Sequence, residues 1–372
     1  MLLAACAGMP SLPPIDAAGL ARRVVAAMHA APGERAILVK DPCYYPELTE
    51  AFERELERAG VEPVVAIDFD PPDLVAPLAA NRDEARRRED AFVALLTPAF
   101  QASQLFFWLP ARAPAPGHRL ERLVDGSSVR GVHFHWILPL EGKHPDELAA
   151  LSRLYERVVL TTDSAALSRE QDRLIAAIRG RRVDVTSAAG TRLRFQVPST
   201  AWFHKNDGEL SPERARQARG ARDREMEFPA GALRLIPDAG SVEGLLVVPR
   251  LGSEAGAIEM ARLEFAGGRI VRSSARSNEA ALNALLARIG GDIDKVGEVV
   301  LGTNPLLVAP TASGELPYFG YGDGYLRISL GDNWESGGPL RTATGENLWL
   351  FLEGVTLEAD GTTLVRDGRL VH

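Results

Sequence analysis

Two cysteines, Cys6 and Cys43, among 372 residues are too few for a disulfide framework or a thiolate zinc site. Long apolar runs are missing as well: no uninterrupted stretch reaches the roughly 18 residues that a helical membrane span requires. Nor is there a basic excess. The 42 Lys and Arg are dispersed among 50 Asp and Glu, giving a net charge of -8 and a pI near 5.5. Such a balance lacks the electrostatic footprint of nucleic-acid binding. Between Arg35 and Gly60, where an early nucleotide-binding turn would sit, there is neither a G-x-G-x-x-G nor a G-x-x-x-x-G-K-[ST]. No Ser-His-Asp or Cys-His arrangement stands out either, because Cys43, in DPCYYP, has no histidine close in sequence.

What remains is ordinary globular composition, 46% hydrophobic and 25% charged. Single cores stop growing near about 250 to 300 residues, so the length predicts two domains. The first residues, MLLAAC, resemble the end of a bacterial lipoprotein signal: Leu3-Ala4-Ala5-Cys6 fits a lipobox and a Pro-containing spacer follows. The basic and apolar parts of a full signal do not precede it. Two expectations follow: a cytoplasmic protein with a short disordered start, or, if translation begins upstream, an envelope lipoprotein with a lipid anchor on Cys6.

From Ala17 to about Thr186 helical and strand-like units alternate, as in RAILVK (Arg35 to Lys40) followed by a charged-face helix from Glu47 to Ala59. This alternation predicts a doubly wound α/β scaffold over residues 17–186. After Gly180 short strands are split by Gly, Pro and Asp every 8 to 15 residues or so, predicting a β-rich α+β domain over 187–372. The Arg-rich run ERARQARGARDRE (Glu213 to Glu225) reads as a solvated helix or loop. In GVHFHW, His133 and His135 share one face of a predicted strand, and H-x-H can give two imidazoles to one ion. With no third ligand nearby in sequence, a structural pair is the favoured reading. His204 lies in a loop with Asp207 and Glu209. Glu315, Tyr318, Tyr321 and Asp323 interleave with glycines in ELPYFGYGDG, a pattern suited either to ligand contact or to an ordinary turn.

The segment from Glu298 to Asn347 carries the strongest signal. It reads GEVVLGTNP, then GYLRISLGDN, then a Gly337-Gly338 pair, then ENLWLFLEG, and it is preceded by EFPAGALRLIPDAGSVEG (Glu227 to Gly244). The order and spacing resemble the aminopeptidase T-type metallopeptidases, with their E-x-G-x-G-T-N-P, G-T-x-H-I-A-L-G and G-G-x(6)-H-x-D. The resemblance implies an α/β domain followed by an aminopeptidase T-like β-rich domain, and a homodimer. It also implies two divalent ions (zinc, cobalt or manganese) held by two Glu, two His and one Asp, with a Tyr assisting. Carried over by position, these roles fall on Ala232, Glu298, Arg327, Gly345 and Asn347, with the Tyr near Trp334. Only Glu298 keeps a ligand's chemistry, and Arg327 puts a permanent cation where the family has an imidazole. The related mononuclear-iron 2,5-dihydroxypyridine dioxygenases have a His at the Glu298 position and a final H-x-D, and this chain has neither.

The expectation is therefore that no metal or other cofactor is required, that Arg327 pairs with Glu298, and that the remnant cleft binds a small molecule or peptide terminus. Arg327 would receive a carboxylate and Glu298 an amine or that Arg, with Tyr318, Tyr321, Asp323, Asp332, Trp334 and His204 as contacts, and Asp332-Asn333 capping the pocket or forming a turn. The alternative is an active aminopeptidase or other hydrolase built around Glu298 with help from Glu346, Asp323 or His204, any metal then resting on Glu298 and Glu346.

Overall fold

A computed structural model describes residues 12–68, 82–111, 117–136, 145–253, 256–307 and 318–372. The lipobox with Cys6, Glu315 and the side chain of Tyr318 lie outside the described residues. In chain order the first elements are α1 (Ala17–Ala27), β1 (Arg35–Lys40), α2 (Pro46–Arg58), β2 (Glu62–Asp68), α3 (Arg82–Gln101), β3 (Leu105–Trp108), α4 (Gly117–Asp125), β4 (Arg130–Phe134), α5 (Pro145–Thr161) and α6 (Ser164–Ile178). Then follow β5 (Arg182–Ser187), β6 (Arg192–Gln196), β7 (Phe203–Lys205), α7 (Pro212–Arg216), β8 (Glu225–Phe228), β9 (Ala232–Leu235), β10 (Asp238–Leu251), β11 (Ile258–Ala266) and β12 (Arg269–Ser274). The last are α8 (Glu279–Ile289), β13 (Val296–Gly302), β14 (Leu326–Gly331), β15 (Asn347–Leu352), β16 (Val355–Ala359), β17 (Thr362–Arg366) and β18 (Arg369–Leu370). None of the described helices is long and apolar enough to cross a membrane.

The chain forms two compact units that are interleaved rather than consecutive: Met1–Thr162 with Gly208–Ala230, and Asp163–Asp207 with Gly231–His372. A single boundary at 186/187 therefore does not describe the partition. The reason lies in pairing. Strand β8 completes the sheet of the first unit, and β5 pairs with both β6 and β16 in the second.

In the first unit, the parallel sheet has the order β2-β1-β3-β4-β8. Strand β1 is buried along its middle, as a strand covered on both faces must be. Ile37, Val39, Phe106 and Trp108 pack with Phe100 of α3 and with Leu120 and Leu123 of α4. On the opposite face Phe52 of α2 meets Phe107 and Phe134 at ring-centroid distances of 5.8 and 6.1 Å. The α/β scaffold read from the alternation is thus present. The Arg-rich run is a solvated face only in part, however: α7 buries none of its residues, but the end of the run packs down. Arg222 is buried, and the guanidinium of Arg224 donates to the carbonyl of Val124 in the last turn of α4, where helix carbonyls lack partners of their own, and to those of Ser127 and Val129 beyond it.

The second unit is a sandwich of two sheets, β12-β11-β10-β6-β5-β16-β17-β18 and β15-β14-β13-β9-β7. One core lies between them, built from Val183, Leu193 and Leu246 on one side and Leu233, Val299 and Ile328 on the other. Helix α6 starts on a side-chain cap, Asp163 Oδ1 accepting from the Ala166 amide at 2.9 Å, and sends Leu174 and Ile178 into this core. Strand β6 alternates exposed and buried along its length, the signature of a sheet with one dry face. Strands β13 and β14 do not alternate; every residue of both is buried. Their second face is also covered, and it is there that polar side chains collect.

Candidate functional site

Directly paired residues of antiparallel strands share a face. Glu298 pairs with Ser329 and Ser329 with Trp349, while Val300 pairs with both Arg234 and Arg327, and Arg234 with His204. The intervening Leu233, Leu235, Val299, Leu301, Ile328 and Leu330 belong to the core. The period of two thus puts His204, Arg234, Glu298, Arg327, Ser329 and Trp349 together on the other face of this sheet.

Glu298 is the hub of that face. Its Oε1 accepts from Arg327 Nη2 at 3.0 Å and from Arg234 Nη1 at 3.1 Å, and its Oε2 accepts from Ser336 Oγ at 2.6 Å. Arg234 Nη2 donates to Tyr321 Oη at 2.5 Å, and the Arg327 guanidinium lies 4.7 Å from the Trp349 ring centroid. Arg327, only 1% exposed, gives that one charged hydrogen bond, and its buried Nε has no partner among the described residues. The buried Ser329 Oγ, two residues on along the same face, lacks one too. A buried N–H without an acceptor forfeits about 1 to 3 kcal/mol, more for a charged group, so this arrangement has capacity for an added acceptor.

The surrounding loops are tied to the sheet by polar groups whose purpose was not legible in sequence. Thr303, of the GTNP phrase, donates its hydroxyl to the Gly231 carbonyl at 2.9 Å and receives Gln171 Nε2 of α6 at 2.9 Å. The amides of Thr303 and Asn304 both donate to the Tyr321 carbonyl, at 3.1 and 3.0 Å, which sets the tyrosine beside Arg234. The following loop is held by Asp332, whose carboxylate accepts from the Trp334 and Thr342 amides at 3.1 and 3.3 Å. Asn333 donates to the Gly297 carbonyl at 2.9 Å and accepts from the Leu340 amide at 2.9 Å. Together these contacts deliver Ser336 to Glu298.

Several residues read as ligand contacts also make contacts within the protein. Asp332 is the turn that holds the loop, with Trp334 donating its backbone to it, and Asp323 accepts from the Leu370 amide at 2.9 Å. His204 stacks on Trp202 with ring centroids 5.9 Å apart and lies beside Arg234. Glu346 does not meet Glu298. Its carboxylate accepts from Arg288 Nη1 at 2.7 Å on the surface, and that hydrogen bond holds its pKa below the ordinary Glu value. Conversely, sequence reading missed Arg234 and Ser336. The A-L-R-L alternation of β9 was the available signal for Arg234; Ser336 arrives from a turn and had none.

The two-ion site that the resemblance implies does not fit these residues. The side chains of Ala232 and Gly345 offer no donor atom, Asn347 is exposed, and Glu298 already has Oε1 bound by two guanidiniums and Oε2 by Ser336. A dication would have to displace both arginines and meet their charge at close range.

In the first unit a second cluster stands at the carboxyl ends of β3, β4 and β8. His133 stacks on Trp108 at 4.0 Å and lies 3.6 Å from His135, ring centroid to ring centroid. Glu227 pairs with His133 in register, and Glu225 Oε1 is 3.5 Å from His133 Nδ1. Burial alone would raise the Glu225 pKa, but the Arg222 charge and the His133 contact together hold it below the ordinary value.

No protein-family model matches the sequence, and no curated protein matches it. Solved structures do. Wild-type AmpT, the aminopeptidase T of Thermus thermophilus, superposes with a TM-score of 0.67 at 15% identity, over 96% of this chain and 99% of that one. The 2,5-dihydroxypyridine dioxygenase of Pseudomonas putida KT2440 does so with a TM-score of 0.63 at 16% identity, over 96% and 98%. The fold is aminopeptidase T-like along nearly the whole chain, as the motifs from Glu227 onward imply.

Proposed function

We propose that this chain uses the aminopeptidase-like fold without a two-metal peptidase centre, and that the polar face around Glu298 receives the carboxylate of a small molecule or peptide terminus. One observation carries the reading. Arg327 stands where the resembled family has a metal-ligating imidazole; it is locked onto Glu298 and still presents a buried, unused Nε. A guanidinium offers several N–H groups in a plane, which suits a carboxylate and cannot ligate a cation. Trp349, 38% exposed and beside the Arg327 guanidinium, gives the face an aromatic edge against which the remainder of a ligand would lie. A homodimer, implied by the same resemblance, belongs to this proposal and is checked by sedimentation.

The test is a calorimetric panel of short peptides and small carboxylic acids, each with its amide counterpart. At least one acid is expected to bind more tightly than its amide, with the preference lost by at least tenfold in Arg327→Met. Chelator-sensitive cleavage of aminoacyl substrates that disappears in Glu298→Gln would instead establish the hydrolase alternative. Two ions per chain that both depart with Glu298→Gln would overturn the proposal outright.

A further inference from the structure

The ends of β4 and β8 bring together side chains that lie about ninety residues apart in sequence. Strand β4 supplies His133, and His135 follows directly, its amide donating to the Phe228 carbonyl at 2.8 Å. Strand β8 supplies Glu227. One ligating atom from each of His133, His135 and Glu227 lies within 4.8 Å of the other two. We propose that these three residues form a divalent transition-metal site, with zinc as its natural occupant, separate from the Glu298 face and independent of how that face is read.

Geometry supports this. Zinc bound at about 2.0 to 2.1 Å in a tetrahedron sets neighbouring ligand atoms about 3.3 Å apart. His135 Nε2 and Glu227 Oε1 are already 3.9 Å apart, so small side-chain rotations close the site. The chemistry agrees, since two imidazoles and one carboxylate suit zinc or ferrous iron and leave coordination positions for water or a substrate atom. The place agrees too: open parallel sheets gather ligands at the carboxyl ends of their strands. Glu225, held by Arg222 at 2.9 Å and facing His133 Nδ1, is positioned to orient that imidazole, as carboxylates behind metal-bound histidines do.

Arg222 also lies 3.4 Å from Glu227, so an ion must draw that carboxylate away from a guanidinium. The electrostatics here are the reverse of those at Glu298. Two carboxylates face one guanidinium and two imidazoles, whereas at Glu298 two guanidiniums face one carboxylate. The surplus of negative charge and the imidazoles make the first-unit cluster the better cation site.

The experiment is calorimetric titration of the chelator-stripped full chain with zinc chloride. One ion per chain is expected, with affinity falling at least tenfold in Glu227→Gln and in His135→Gln. Should those variants fail to fold, as judged by circular dichroism, the wild-type chain decides the matter through its histidine side-chain nitrogen resonances: zinc should shift two of the seven histidines. Absence of binding, zinc that departs with Glu298→Gln instead, or unchanged affinity in Glu227→Gln would overturn the proposal and leave the cluster as an ion network centred on Arg222.

Discussion

Glu298 is held by two arginines and a serine, and a single atom of it, Oε1, receives both guanidiniums. Removing one partner of a buried ion pair is costlier than never having made it, because the remaining charge stays desolvated. Glu298→Gln is therefore expected to destabilise the protein by about 3 to 5 kcal/mol, measured by urea denaturation. A loss under about 1 kcal/mol would mean that water or another acid takes the place of the carboxylate. At this scale the Glu298-Arg327 pairing was readable, since both residues sit in gapless strand phrases with known alternation. Arg234 was readable in principle by the same rule. Ser336 was not, because a turn has no period that aims its side chains.

At the scale of elements, β13 and β14 are central strands with one face in the sandwich core and the other holding the ion cluster, and the loop after β13 is fastened to the turn before β9. Gly231 is the fastening point. Its φ is +150°, and a Cβ there would stand 2.6 Å from the Tyr321 carbonyl oxygen and 2.7 Å from Asn304 Cβ. Gly231→Ala is expected to push Tyr321 away from Arg234 and to cost about 1 to 3 kcal/mol, with the near-ultraviolet circular dichroism of the tyrosine changing in parallel. Unchanged stability and spectrum would show that the loop yields without strain. The H-x-H at the end of β4 shows the opposite limit of sequence reading: the histidines were visible as a pair, while their partner Glu227 belongs to a strand that parallel pairing brings alongside from far down the chain.

At the scale of the molecule, the chain crosses between its two units at 162/163, 207/208 and 230/231. Division at 186/187, the boundary that composition indicates, removes β8 from the first unit and α6 from the second, and severs β5 before its last residue. Neither fragment, 1–186 or 187–372, is expected to show a cooperative unfolding transition or dispersed amide resonances by itself. A fragment that does fold would show that the sequential boundary marks an autonomous domain. The change in texture after Gly180 is real, since parallel strands give way to antiparallel ones. It does not mark a single cut, because the segment 208–230 returns to the first sheet.

The sequence by itself determined the fold class, most element positions and which side chains stand at the spacings where the resemblance expects metal ligands. These follow from local periodicity, turn residues and the identity of side chains at fixed spacings, which need no partner to be read. Tertiary structure alone decided that a second arginine shares Glu298, that Glu346 is committed to Arg288 on the surface, that the Arg-rich run is partly buried, and that His133 and His135 meet Glu227. Each of these depends on which strands become neighbours, and strand order is settled by burial and pairing across the whole chain rather than by any stretch of it.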